Sequence, residues 1–275
     1  MPTKTKVRNM FDSIAGDYDS LNHILSLDVD KIWRKKALKQ IVDAPAPVQV
    51  LDLACGTGDF SIAIAKALSR SHKRVGTPIE AHVKAPAKAP VEAQVTSTGF
   101  VTGDSGRSDL MTKGHVTGVD LSEGMLAVMR EKVAKAGLTE MISIEEGDGE
   151  NLRFPDNTFD RVTIAFGIRN FEDRPKGLRE MLRVLKPGGR LVILELSRPE
   201  NKVIRWFYDL YFLHILPKIG GKVSGDKAAY AYLPTSVAAF PGKKEFSATM
   251  REAGFRAVTH KAFTLGICRM YTGEK

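Results

Sequence analysis

A chain of 275 residues, 43% hydrophobic and 27% charged, can bury one large α/β core or two small ones and has the balance of a globular protein in water. The net charge of +9 raises nucleic acid or an anionic membrane face as partners, yet no run of five or six like charges and no RNA- or DNA-binding signature accompanies it, so a solvated basic surface accounts for it at least as well and no nucleic-acid partner is expected. Two cysteines, Cys55 and Cys268, cannot build a disulfide framework or a metal centre; with no apolar leader and no unbroken run of roughly 18 apolar residues, a cytoplasmic, metal-free protein is expected.

In chain order, Met10, Phe11, Ile14 and Tyr18 recur at near-helical spacing among Asp12, Asp17, Asp19 and Asn22. A second helix is predicted over Val29–Ile41, burying Ile32, Trp33, Ala37, Leu38 and Ile41. Residues 1–44 then form a helical cap, with Tyr18 either touching a ligand or half-buried in its helix. The run Val48 to Leu53 reads as a strand, Cys55-Gly56-Thr57-Gly58 as a tight turn, and Phe60 to Leu68 as a helix. That is the opening unit of a doubly wound sheet, whose ligand sits beyond the strand's carboxyl end.

Gly56 and Gly58 allow the sharp turn and the approach of a ligand, and Asp52 at the strand tip can accept from a cationic or amine-bearing one. A dinucleotide fingerprint would put a third glycine where Ser61 stands, and Asp59 sits where a pyrophosphate would bring negative charge. S-adenosylmethionine, with a sulfonium, an ammonium and no phosphate, fits this pattern better than a nicotinamide cofactor does.

Residues 69–115, rich in Ala, Pro, Lys, Ser and Gly, show no repeating apolar face and are predicted to be a low-complexity insertion without fixed order. Val116 to Asp120 is the next strand, with Ser122 as N-cap of a helix to Lys135. Asp120 lies 62 residues past Gly58, and removing the insertion restores the roughly 20 expected for an acid that holds ribose hydroxyls. Strands follow at Ile142–Glu146, Phe159–Phe166 and Arg190–Leu196, with a helix from Pro175 to Leu185 and a sharp turn at Lys186–Gly189. Asp148 is placed to accept from an adenine amine, and the Gly149 N–H to meet a ring nitrogen.

Taken together, Val50 to Gly58, Asp120, Gly147-Asp148 and Leu185-Lys186-Pro187-Gly188-Gly189 resemble the class I S-adenosylmethionine-dependent methyltransferases. Two further blocks, Phe11-Asp12-x-Ile14-Ala15-x-x-Tyr18-Asp19-x-x-Asn22 and Phe166-Gly167-Ile168-Arg169-Asn170-Phe171-x-Asp173, resemble the ubiquinone/menaquinone-biosynthesis C-methyltransferases within that class. The resemblance implies a mostly parallel seven-stranded sheet with an antiparallel C-terminal edge hairpin. It also implies S-adenosylmethionine as cofactor, bound by Thr57, Asp120, Asp148 and Gly149, and a polyprenyl naphthoquinol, or else a benzoquinol, as methyl acceptor. A homodimer is left open. Relatives carry a serine where this chain has Ala165.

Val203 to Leu216 is apolar almost all round; at 1.5 Å per residue it reaches about 21 Å, short of a bilayer core. It reads either as a buried core helix or as one lining a prenyl-tail tunnel or touching the membrane's inner face, within a substrate-covering segment 201–235. A helix over Lys243–Ala253, ended by Gly254, and two strands at Arg256–His260 and Gly266–Tyr271 complete the chain. Arg169 is the first candidate for stabilising a phenolate, with a salt bridge to Glu172 or Asp173 as its alternative role. Asn170 and Tyr18 follow, and Asp19, Asn22 and His214 are weaker candidates. An RNA methyltransferase is disfavoured by the lack of an Asn/Asp-Pro-Pro-Tyr block and of paired catalytic cysteines.

Overall fold

The computed structural model describes residues 3–16, 18–19, 28–43, 48–75, 114–211 and 227–275, of which 71–75 and 227–231 by their backbone alone. Most of the insertion, Asp17, and Asn22 and His214 among the weaker candidates lie outside the described residues. The helices are α1 (Lys4–Ile14), α2 (Val29–Ile41), α3 (Asp59–Val75), α4 (Glu123–Lys135), α5 (Arg174–Val184), α6 (Lys202–Leu210), α7 (Lys227–Ala238) and α8 (Lys243–Glu252). The strands are β1 (Gln49–Leu53), β2 (His115–Asp120), β3 (Ile142–Glu146), β4 (Phe159–Ala165), β5 (Leu185–Leu196), β6 (Arg256–Phe263) and β7 (Cys268–Glu274).

The seven strands form one sheet in the order β3-β2-β1-β4-β5-β7-β6. The first five are parallel; β7 runs antiparallel between β5 and β6, the expected edge hairpin. Alternation along each strand sorts the core into two faces. Val50, Val116, Val192 and Leu194 pack under α2, α3 and α4, whereas Leu51, Val162, Leu191 and Ile193 pack under α5 and α8. Reversal of strand order beside β1 opens a crevice over the tips of β1, β2 and β4, where such sheets bind ligands.

Three local expectations are corrected, and one helix appears that the sequence reading did not assign. Helix α3 runs past Leu68 to Val75, because a polar helical turn needs no apolar face to continue. The Lys186–Gly189 turn is folded into β5 as an irregularity: Phe159 pairs with Leu185, and Arg161 already with Arg190. Residues 227–238 are helical despite Pro234, held where buried Ser236 and Val237 pack inward. Ile32, expected inside, is 54% exposed, because Trp33, Ala37 and Ile41 alone supply the buried stripe of α2.

Candidate active site

Backbone conformation at the strand tips is unusual where two cavities meet. Ala54 after β1 and Phe166 after β4 hold φ of 49° and 64°, left-handed values that cost a non-glycine residue about 1–2 kcal/mol. Gly167 allows the two tips to touch, since a Cβ there would lie 2.4 Å from that of Ala54. The larger cavity, about 450 Å³, and the smaller, about 80 Å³, share Tyr18, Ala54, Gly56, Ala165 and Phe166 in their walls. Ala165 offers no polar group to either.

The smaller cavity collects Asp120, Asp148, Gly149 and Asn170 from separate loops. Asp120 accepts from the Gly56 and Ser122 N–H groups, both at 2.9 Å, which ties the glycine turn to the tip of β2. Burial raises the Asp120 carboxyl pKa, and these backbone donors oppose it only in part. Asp148 receives the Glu150 N–H at 2.9 Å and the Lys4 ammonium at 2.7 Å, so the start of α1 closes this end. Asp12 of α1 accepts from Ser122 Oγ and the Gly124 N–H at the N-terminus of α4, where a negative charge is favoured. These contacts hold α1 against the tips of β2 and β3. Gly149 turns its open side toward Phe171, whose ring a Cβ would meet at 2.6 Å.

The larger cavity is lined by polar groups and by apolar ones. Its buried polar lining includes Asp52, Thr57 and Arg169, and its less buried apolar lining includes Val29, Ile204, Phe207, Leu233 and Ile267. Asp52 is buried and accepts from Ser61 Oγ, the residue standing in place of a third glycine. Burial pushes its carboxyl up to about 7, with Ser61 and Arg34 pulling the other way. The Thr57 hydroxyl donates to Asp19, and Lys132 bonds both Asp19, at 2.6 Å, and Asp59. Sequence reasoning missed Lys132, because nothing in α4 alone distinguishes a lysine aimed at the turn from one in solvent.

Arg169 is buried and pairs with Glu195 of β5 at 2.7 Å, not with Glu172 or Asp173. Those two are engaged elsewhere: Glu172 accepts from the Lys4 N–H, and Asp173 caps α5. Glu195 also accepts from the Arg169 N–H at 3.0 Å, and Arg174 holds the Arg169 carbonyl at 3.0 Å. Burial alone would lower the arginine's pKa; Glu195 and the phenols of Tyr18 and Tyr232 more than offset it, so it stays cationic. Asn170 lies on the smaller cavity's wall and receives the Tyr232 hydroxyl at 2.8 Å. Glu195 and Tyr232 were not singled out from the sequence.

Gly58 is a correction. It lines neither cavity, and a Cβ there would sit 2.5 Å from Met129 Cγ of α4. Its lack of a side chain serves close helix packing, not ligand approach. Helix α6 corrects another reading, for it is not a buried core helix: only Tyr208 is buried, while Ile204, Phe207, Tyr208 and Tyr211 line the larger cavity. Among the described residues no group of His, Cys, Asp and Glu could hold a metal ion.

The ubiE/COQ5 methyltransferase family matches residues 2–275. The chain belongs to that family. Over 270 residues it is 44% identical to the ubiquinone/menaquinone biosynthesis C-methyltransferase UbiE of Geobacter sulfurreducens, covering 98% of this chain and 88% of that one. It is 39% identical to a demethylmenaquinone methyltransferase of Bacteroides fragilis, over 98% of this chain and 92% of that one. An S-adenosylmethionine-dependent methyltransferase of Aquifex aeolicus superposes with a TM-score of 0.52 at 20% identity, covering 87% and 88% of the two chains. The [4+2]-cyclase SpnF superposes with 0.64 at 16% identity, covering 100% and 97%. At such identity the superpositions speak for the fold alone.

The chain is therefore a methyltransferase, and its methyl donor is S-adenosylmethionine. The residues present fit that group. Acids cluster where a cationic ligand without phosphates would lie, and a Cβ at Gly56 would stand 3.9 Å from the Tyr18 ring, where the two cavities join.

Proposed function

We propose that this methyltransferase C-methylates a polyprenylated quinol, demethylmenaquinol foremost, from the larger cavity. The observation that carries the reading is the shared wall: a cavity with a buried polar lining and a less buried apolar one meets an acid-lined pocket at Tyr18, Gly56 and Phe166. An amphiphile with an aromatic, hydroxyl-bearing head would lie head-inward there, with its tail along Ile204 and Phe207. The names of the relatives above support the same acceptor class.

S-adenosylmethionine supplies an electrophilic methyl group. Asp120 would hold its ribose hydroxyls, Asp148 and Gly149 its adenine edge, and Asp52, Gly56 and Thr57 the amino-acid end. With the donor bound, an acceptor whose hydroxyl had released its proton to water would present a nucleophilic ring carbon to the methyl group; the new carbon–carbon bond would replace the sulfur–methyl bond, and the ring hydrogen would leave as a proton to water. Aligning the two reactants is the enzyme's largest task, and the shared wall does this. Arg169 cannot act as a base, so its part is to donate to the acceptor oxygen as the hydroxyl gives up its proton, favouring the phenolate that makes the ring carbon nucleophilic. Because Glu195 already balances the arginine, the benefit comes from a directed N–H rather than from net charge. Such a substrate arrives from the lipid phase, so the enzyme would work at the cytoplasmic face of a membrane, touching it through α6.

The test is a methylation assay with labelled donor, comparing demethylmenaquinol with demethoxy-type benzoquinols. Transfer to the naphthoquinol is expected. Preference for the benzoquinol would move the acceptor, and no transfer to either, with donor bound, would refute the reading.

A further inference from the structure

The large apolar side chains exposed among the described residues are Ile32, Val203, Trp206, Phe207, Leu210 and Leu265. They come from three distant parts of the chain, and each part contributes a residue to the wall of the larger cavity: Trp33, Phe207 and Thr264. Phe207 lines the larger cavity while 60% exposed, and exposed Thr264 lines it as well, so the cavity reaches the surface there. Leu265 follows Thr264, and Ile32 precedes Trp33, whose indole N–H donates to Thr264 Oγ1 at 2.8 Å. On α6, positions 203, 206, 207 and 210 form one stripe at steps of three and four. Leu265 is 72% exposed at φ 58°, a left-handed tip that burial in the protein does not reward.

Cations lie beside two parts of this patch. Lys35 and Lys36 stand three and four residues after Ile32 on the same helical face, and both are exposed. Lys202 lies one turn before Trp206. The nearby acids are engaged: Asp209 pairs with Arg198, and Glu200 with Lys243 and Arg269. An apolar patch flanked by lysines is the composition that binds an anionic lipid surface. A second copy of the chain seated here would instead seal the opening through which a tailed substrate must pass.

We propose that Ile32, the α6 stripe and Leu265 form a three-pronged docking face that seats the mouth of the larger cavity on an anionic bilayer. The inference rests on the tailed-acceptor reading above, and adds two prongs and a lipid-charge requirement that α6 alone does not carry. The tail then leaves the bilayer and enters the cavity without crossing water.

The experiment is co-sedimentation of the full chain with vesicles of phosphatidylcholine, with or without phosphatidylglycerol. It is paired with turnover of a tail-less quinol in solution and of a long-tailed quinol in vesicles. Wild type is expected to pellet with the anionic vesicles. Leu265→Asp suits the left-handed tip, so the fold persists, and should weaken vesicle binding roughly tenfold. Ile32→Glu should behave alike, and Lys35→Glu should cost about fivefold on anionic vesicles alone. Turnover in solution should stay unchanged while turnover in vesicles falls. Unaltered vesicle binding in Leu265→Asp and Ile32→Glu would overturn the proposal. So would a shift from dimer to monomer in those variants with vesicle binding intact, which would assign the patch to a second copy. If neither quinol were methylated, the acceptor reading would fail on its own, and vesicle binding would still decide the docking face.

Discussion

The Arg169 guanidinium lies 2.7 Å from the Glu195 carboxylate, and both are buried in the floor between β4 and β5. Glu195 takes the arginine's side chain and its backbone N–H together, so it fixes the position of the residue as well as its charge. Replacing one member of a buried pair strands the other, at a cost of about 3–5 kcal/mol. Glu195→Gln keeps the volume and the acceptor oxygen but loses the charge, and should lower the melting temperature and turnover together. Arg169→Ala should reduce turnover about a hundredfold or more, with cofactor affinity almost unchanged, as measured by calorimetry and single-turnover assay. Lost affinity with unchanged turnover would remove Arg169 from the acceptor side.

A second prediction concerns pH. Burial places the Asp52 carboxyl at about 7, above its ordinary 3.8. A folded-state value raised in this way gives stability that is complete below the unfolded value and is lost as pH rises through 7. A cationic ligand, by contrast, gains only once the carboxylate is ionised. Between about pH 4 and pH 7 the unliganded protein should therefore melt at falling temperature while its affinity for S-adenosylmethionine rises, and both should level off above that. Asp52→Asn should flatten both trends, and equal slopes in variant and wild type would rule Asp52 out as their source.

These groups were unequally legible in the sequence. The β1 turn, the strand-tip acids Asp52, Asp120 and Asp148, and the Ser122 cap are local patterns, each set by neighbours within a few residues. The Glu195 partnership joins residues 26 apart in chain through strand pairing, and period-two alternation says only that Glu195 shares a face with Ile193. Helical periodicity likewise gave the buried stripe of α2 but not its width, so Ile32 was placed inside when Trp33 suffices there. Helix α7 escaped because Pro234 argues against a helix, a local rule that packing around Val237 overrides.

The two turn glycines should separate by experiment. Gly58→Ala meets both a φ of 82° and Met129 at 2.5 Å, so strain and overpacking together should cost about 2–4 kcal/mol, read as a lowered denaturation midpoint. Gly56→Ala meets only strain at φ 56°, with its new methyl in ordinary contact with the Tyr18 ring at 3.9 Å. It should unfold within about 1–2 kcal/mol of wild type yet bind S-adenosylmethionine much more weakly. Equal affinity in Gly56→Ala and wild type would show that the ligand does not approach that face.

The last prediction concerns the cap. Lys132 ties Asp19, beside Tyr18, to Asp59 at the start of α3, and Thr57 donates to the same Asp19. Tyr18 stands in the wall common to both cavities, so releasing Asp19 releases the residue that divides them. Burial works against the Asp59 charge, but Lys132 and Arg34 hold its pKa below the ordinary range, so Asp59 is anionic at neutral pH and holds the lysine in place against Asp19. The lysine is about a quarter exposed, so its effect is modest, about 1 kcal/mol, and screened by salt. Lys132→Met should speed dissociation of S-adenosylhomocysteine about fivefold in stopped-flow measurements while the melting temperature moves little. High salt should quicken wild type toward the variant's rate and leave the variant unmoved. A dissociation rate unchanged in Lys132→Met would mean that this segment does not control passage of the nucleoside.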